Sequence, residues 1–182
     1  MRRLIQILSL LAIISPAAAQ PVRTEVTNAT TTAVDTKPNS DTVPDVYALS
    51  GQFERVLVLR FKNQADLLAG LERMVKEHKV RNAVILSGIG SVRSYHYHTV
   101  SNGTFPSKNI FVKNPTGPAD IVSMNGYVID GRVHAHITLA DPDKAFGGHL
   151  ECGTSVFTFA VVTVGVFKDG IDLSRVDDKN YR

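Results

Sequence analysis

The sequence predicts an α+β fold: one domain with a mainly antiparallel β-sheet and a single principal helix. Three observations carry this. One helical pattern lies early in the chain, a succession of strand-length apolar runs follows it, and turn-forming residues separate those runs. With 182 residues, 43% hydrophobic and 20% charged, the chain has enough apolar side chain for one core and not for two.

The opening MRRLIQILSLLAIISPAAAQ has Arg2 and Arg3, an apolar run from Leu4 to Ile14, and Ala17-Ala18-Ala19 before Gln20. This is the layout of a secretory signal peptide over residues 1–19, with cleavage after Ala19, and the run is short of the roughly 20 residues of a membrane span. The expected location is therefore exported, either periplasmic or secreted. The 20 basic and 17 acidic side chains give a formal +3, which falls to +1 when Arg2 and Arg3 leave with the leader. A near-neutral domain lacks the electrostatic footprint that nucleic acid requires.

Residues 20–47 are rich in Thr, Asn, Asp, Ser and Pro without apolar periodicity, so they are expected to be a disordered linker. Asn28 and Asn102 open glycosylation sequons, which matter only in a eukaryotic source. The folded domain is expected over 48–170 and a C-terminal tail over 171–182.

Phe53 to Phe61 has the apolar, β-branched composition of a strand. Asn63 can then cap a helix over Gln64 to Lys79, where Leu67, Leu68, Leu71, Met74 and Val75 recur every three or four residues on one face. His78, at its end, suits the negative pole of the helix dipole better than a ligand role. Strands follow at Ala83–Leu86, Val92–Val100, Ile110–Val112, Ile121–Ile129, Val133–Leu139 and Thr154–Phe167. The breaks between them include Asn102-Gly103, Asp130-Gly131 and Gly147-Gly148. Ser87-Gly88-Ile89-Gly90-Ser91 superficially matches a phosphate loop, but a strand follows where a helix should, so a tight inter-strand turn is expected. Ser87 and Gly88 stay as candidate ligand-binding residues.

The chemistry concentrates between Gly131 and Gly153. Side chains two apart on a strand share a face, so His134 and His136 point the same way. A chain reversal through Asp141 to Gly148 would return His149 to the same rim. Three neutral imidazoles suit zinc, and also nickel, copper or iron. The alternative is a set of half-buried histidines that only hydrogen-bond to neighbours. Glu151, on the face of His149, could be a fourth ligand, a carboxylate that orients a histidine, or a general base on metal-bound water, the one catalytic candidate. Asp141 and Asp143 suit a turn around Pro142, and Asp141 could also anchor a histidine or contact a ligand. His96 and His98 share one face of their strand and are expected on a half-solvated surface, though they could extend the metal site. Cys152 has no partner for a disulfide and is expected to be buried as a small hydrophobe. A thiol nucleophile with His149 as base is disfavoured, because a separation of three places the two on opposite strand faces.

The segments LSGIGSV (Leu86 to Val92), GRVHAHITLADPD (Gly131 to Asp143) and GGHLECGT (Gly147 to Thr154) resemble, in this order, the plants-and-prokaryotes conserved domain, called PPC. The resemblance runs from about Arg55 to Phe167. It implies an α+β homotrimer in which His134, His136 and His149 form a metal or small-ligand site near subunit boundaries, and it attaches no secure reaction. The plant members pair this domain with an Arg-Gly-Arg-Pro motif that enters the DNA minor groove. Here that motif is absent and an export signal is present, so DNA binding is not expected. The expected function is an exported domain that binds a divalent metal, zinc first, or a small ligand, with metal-assisted hydrolase or lyase chemistry as an extension. The alternative is a noncatalytic trimerising module.

Overall fold

A computed structural model describes residues 20–27 and 43–177. The leader and Asn28 lie outside the described residues. The elements are β1 (Val22–Thr27), β2 (Phe53–Lys62), α1 (Leu67–Glu77), β3 (Ala83–Val100), β4 (Lys108–Asn114), β5 (Ala119–Ile129), β6 (Arg132–Ala140), β7 (Ala145–Leu150) and β8 (Ser155–Phe167). All strand pairings are antiparallel.

The 18 residues of β3 organise the sheet. Its first half lies between β5 and β8, its second half between β4 and β7. Pairings run from β3 through β5, β6 and β7 back to β3, which closes a circuit. β2 extends the sheet beyond β8, and β1 extends it beyond β4.

The expected turn at Ser87 to Ser91 is not there, because β3 is continuous through it. The two glycines allow close approach rather than reversal. A Cβ on Gly88 would collide with the Met124 side chain, and register shifts at Ile85/Ser87 and Gly90/Val92 absorb the irregularity against β8. Asp130 and Gly131 do form a two-residue hairpin turn, with φ of 49° and 78°.

α1 begins at Leu67, and its cap is Asp66, not Asn63. Asp66 accepts from Ala69 N at 2.9 Å through one carboxylate oxygen and from Gly153 N at 2.6 Å through the other. Asn63 instead donates its side-chain amide to the carbonyl of Phe157 in β8. A carboxylate satisfying two backbone donors is the stronger start signal. Leu67, Leu68, Leu71 and Val75 are buried against Ile85, Ile137, Leu139, Leu150 and the inward residues of β8, in one continuous core. His78 is exposed at the C-cap.

Two expectations at the chain ends need correction. Val22–Thr27 is a strand within the supposed linker, paired with β4 from Val22↔Lys113 to Thr27↔Lys108. All six residues are exposed, so main-chain hydrogen bonding to an open sheet edge orders them, and an argument from lack of burial could not detect that. The stretch after β8 is also packed. Leu173 is buried, and Asn82 donates to Ile171 O at 3.0 Å. Among the described residues no helix is long and apolar enough to cross a membrane.

Candidate metal centre

The Gly147-Gly148 pair lies inside β7 and makes no turn. A Cβ on Gly147 would collide with Ile137 O, and one on Gly148 with His98 O. Two side-chain-free positions therefore let β7 nest between β6 and β3. This nesting sets a cross-strand row: His149 lies opposite His136 of β6 and opposite His98 of β3. His134, two residues before His136, joins on the same face.

The four imidazoles form one cluster joined through His149. His98 stacks on His149 with ring centroids 4.5 Å apart, His134 stacks on His136 at 5.4 Å, and His149 lies 4.8 Å from His134 and 5.5 Å from His136. The expected trio is thus brought together, and His98, placed by sequence on a half-solvated surface, is part of the cluster. His96 is not. Its Nδ1 bonds Cys152 O at 2.8 Å, and its ring faces Phe111.

Glu151 sits at the edge of this row. Its Oε1 is 2.6 Å from His98 Nδ1 and 3.6 Å from His149 Nδ1. His149 Nδ1 also donates to Leu150 O at 3.0 Å. A carboxylate or carbonyl oxygen can only accept from a neutral ring, so both Nδ1 atoms carry hydrogen and the Nε2 lone pairs are left free. His98, His149 and Glu151 each offer one ligand atom within 4.8 Å of the others, the one such compact group among the described residues. It shares His149 with the trio expected from sequence. The Nε2 atoms of His134 and His136 are 3.4 Å apart, close to the roughly 3.4 Å that separates two tetrahedral ligands each 2.0–2.1 Å from zinc. The donor set thus fits a divalent ion.

Electrostatics favour the form that a metal needs. Burial, reinforced by the neighbouring His134 and His98, lowers the pKa of His136 below the ordinary imidazole value. Burial also lowers that of His149, with His98 and His134 adding to the effect and Glu151 and the Leu150 carbonyl opposing it. Both rings are held toward the neutral state, in which a nitrogen can ligate.

A further acid arrives from beyond the sheet. Asp177 Oδ2 is 2.9 Å from His134 Nδ1 and 3.1 Å from Arg132 Nη2. No spacing rule could have found this residue in a segment expected to be a tail. The remaining candidates lie elsewhere in function. Ser87 is exposed and Gly88 is buried in the β3–β8 ladder, opposite Thr163 and Val162. Asp141 caps its turn, accepting from Asp143 N at 3.0 Å and Lys144 N at 2.9 Å. Cys152 is exposed, contrary to expectation. Partial desolvation raises its thiol pKa, and the negative charges of Asp66, Glu72 and Glu151 raise it further, which opposes thiolate chemistry. Asn102, of the second sequon, has its side-chain amide bound to Thr104 O and Pro106 O.

A closed antiparallel sheet with one helix and a histidine row across three strands defines the class: a small α+β domain whose polar centre lies on the sheet. The chain belongs to the family of the Plants and Prokaryotes Conserved (PCC) domain, the PPC domain named above, whose family model matches residues 48–168. Among solved structures, the chain is similar to a plant- and prokaryote-conserved protein from Pyrococcus horikoshii, at 25% identity over 75% of this chain and 94% of that one, with a TM-score of 0.60. It is similar to a metal-containing protein from Archaeoglobus fulgidus at 21% identity, covering 74% and 95% of the two chains, TM-score 0.60. A hypothetical protein from Salmonella follows at 22% identity, 66% and 83% coverage and TM-score 0.54. No curated protein matches the chain.

Proposed function

We propose that this protein is an exported, self-assembling domain that binds a divalent metal ion through the imidazoles of His98 and His149, with Glu151 holding the His98 ring and His134 and His136 as adjacent imidazoles. The observation that carries the reading is the convergence of four histidines from β3, β6 and β7, and of the carboxylate that directly follows β7, with hydrogen-bond acceptors already holding Nδ1 of His98 and His149. A carboxylate holding a ring so that its far nitrogen is free is the usual arrangement around a metal-ligating histidine. The fold relative from Archaeoglobus fulgidus, described as metal-containing, lends independent support.

The acid at this centre is engaged with His98, so its first role is to orient that ring and contribute charge to the ion. When a metal is bound, it would supply Lewis-acid polarisation of a small ligand, and this chain's residues would orient the imidazoles and keep them unprotonated. Hydrolase or lyase chemistry with Glu151 as base would require the carboxylate to release His98.

Elemental analysis of the tag-free chain tests the reading. A stoichiometric divalent metal in the wild-type protein, lost in a His98→Ala/His149→Ala double variant, supports it. Absence of metal even after incubation with zinc would leave the noncatalytic module as the better reading.

Assembly as a trimer is part of the same proposal, supported by an apolar outer sheet face. Val58, Ile89, Val122 and Phe157 are 69%, 57%, 55% and 51% exposed. Large apolar side chains exposed on several strands of one sheet are the kind of surface that association buries.

A further inference from the structure

We propose that Asp177 is a positioning residue: it fixes the tautomer of His134 and thereby makes the His134–His136 pair a two-nitrogen metal clamp beside His98, His149 and Glu151. The proposal rests on the metal-binding reading above and adds to it a residue from outside the matched domain, since Asp177 lies beyond 48–168.

Three observations carry it. First, the Asp177 carboxylate contacts His134 Nδ1 at 2.9 Å. At this ion-pair distance the electron-rich oxygen disfavours a second lone pair on Nδ1, so in the neutral ring hydrogen sits on Nδ1 and the lone pair on Nε2. In water an unconstrained histidine ring favours the opposite tautomer. Second, the freed Nε2 faces Nε2 of His136 at 3.4 Å, the separation expected of two nitrogens on one tetrahedral ion. Without metal, His136 can donate its Nε2 hydrogen across this contact; with metal, that hydrogen moves to Nδ1 and both Nε2 atoms ligate.

Third, Arg132 holds the carboxylate and the preceding residues hold its segment. Arg132 shares the strand face of His134 and binds the same Oδ2 at 3.1 Å. Leu173 anchors the segment in the core, Ile171 O accepts from Asn82 at 3.0 Å, and Val176 N donates to Leu173 O at 3.0 Å. Val176 and Asp177 then wall a cavity of about 470 Å³ that also takes in Ile85, Tyr127, His134 and His136. The segment after β8 thus closes one side of the centre and delivers an acid to it.

The test measures the side-chain 15N signals of His134 at pH 8 in the metal-free full chain, and the zinc affinity by competition with a chelator. Wild type should show hydrogen on Nδ1. Asp177→Ala should shift His134 toward the Nε2–H form and weaken zinc binding by about 10–100-fold. Asp177→Asn, whose amide oxygen still accepts, should retain most of both properties, which a purely structural role for the segment would not require. Hydrogen on Nε2 in wild type would overturn the proposal, as would an Asp177→Ala variant with unchanged tautomer and affinity. If wild type takes up no zinc while the tautomer still follows Asp177, the metal reading fails and the positioning of His134 stands.

Discussion

His149 is the residue through which the centre is assembled, because it alone lies opposite histidines on both flanking strands. The pKa values of His149 and His136 are lowered in the folded state, first by burial. The unfolded chain therefore binds more protons than the native one as pH falls toward about 6.5, the ordinary imidazole value, and stability contributed by these rings is present above that pH and lost below it. Thermal melts in chelator should show Tm falling between pH 7.5 and 5.5, and a His136→Ala/His149→Ala variant should flatten that dependence. Thr154, fully buried, accepts from His96 N at 3.0 Å and donates to His96 O at 2.9 Å. Thr154→Val leaves the His96 amide without that acceptor and should cost about 1–3 kcal/mol in chemical denaturation. At this scale, His134 and His136 were legible because a strand's period of two needs no partner to predict a shared face. His98 was half legible, since its own H-x-H was visible but the register that brings it to His149 is set by residues fifty positions away. Asp177 had no local signal.

At the scale of elements, the same glycines that read as punctuation in sequence serve as contact points within strands. Gly147-Gly148 marks where β7 slips between two backbones, and Gly88 marks where Met124 presses on β3. Composition identifies a glycine's freedom but does not say whether a turn or a close approach uses it. Gly148→Ala should accordingly separate β7 from β3, and with it His149 from His98, so zinc affinity should drop more than Tm suggests. The helix was legible from its apolar spacing, its first residue less so, because Asp66 also binds Gly153 N and thereby ties α1 to the segment following Glu151. Asp66→Ala removes both bonds and should destabilise the chain by about 2 kcal/mol, at the upper end for a cap, in urea melts. β1 escaped detection because it is held by main-chain pairing to β4 and buries nothing.

For the whole molecule, the closed circuit of β3, β5, β6 and β7 fixes the histidine row, while the exposed apolar side chains on β2, β3, β5 and β8 are what the proposed assembly would bury. Multi-angle scattering of the chain should give a trimer mass, and Ile89→Glu/Phe157→Glu should give a folded monomer; a wild-type monomer at micromolar concentration would refute assembly. The family was legible from the H-x-H, L-A-D and G-G-H-L segments, whereas the composition of the centre depended on long-range register. X-ray absorption at the zinc edge, on the zinc-loaded full chain, reads the ligands of the ion. The expected spectrum has a shell of nitrogen and oxygen at about 2.0–2.1 Å with imidazole scattering that weakens in His98→Ala. A shell without imidazole, or a sulfur at about 2.3 Å from Cys152, would contradict it.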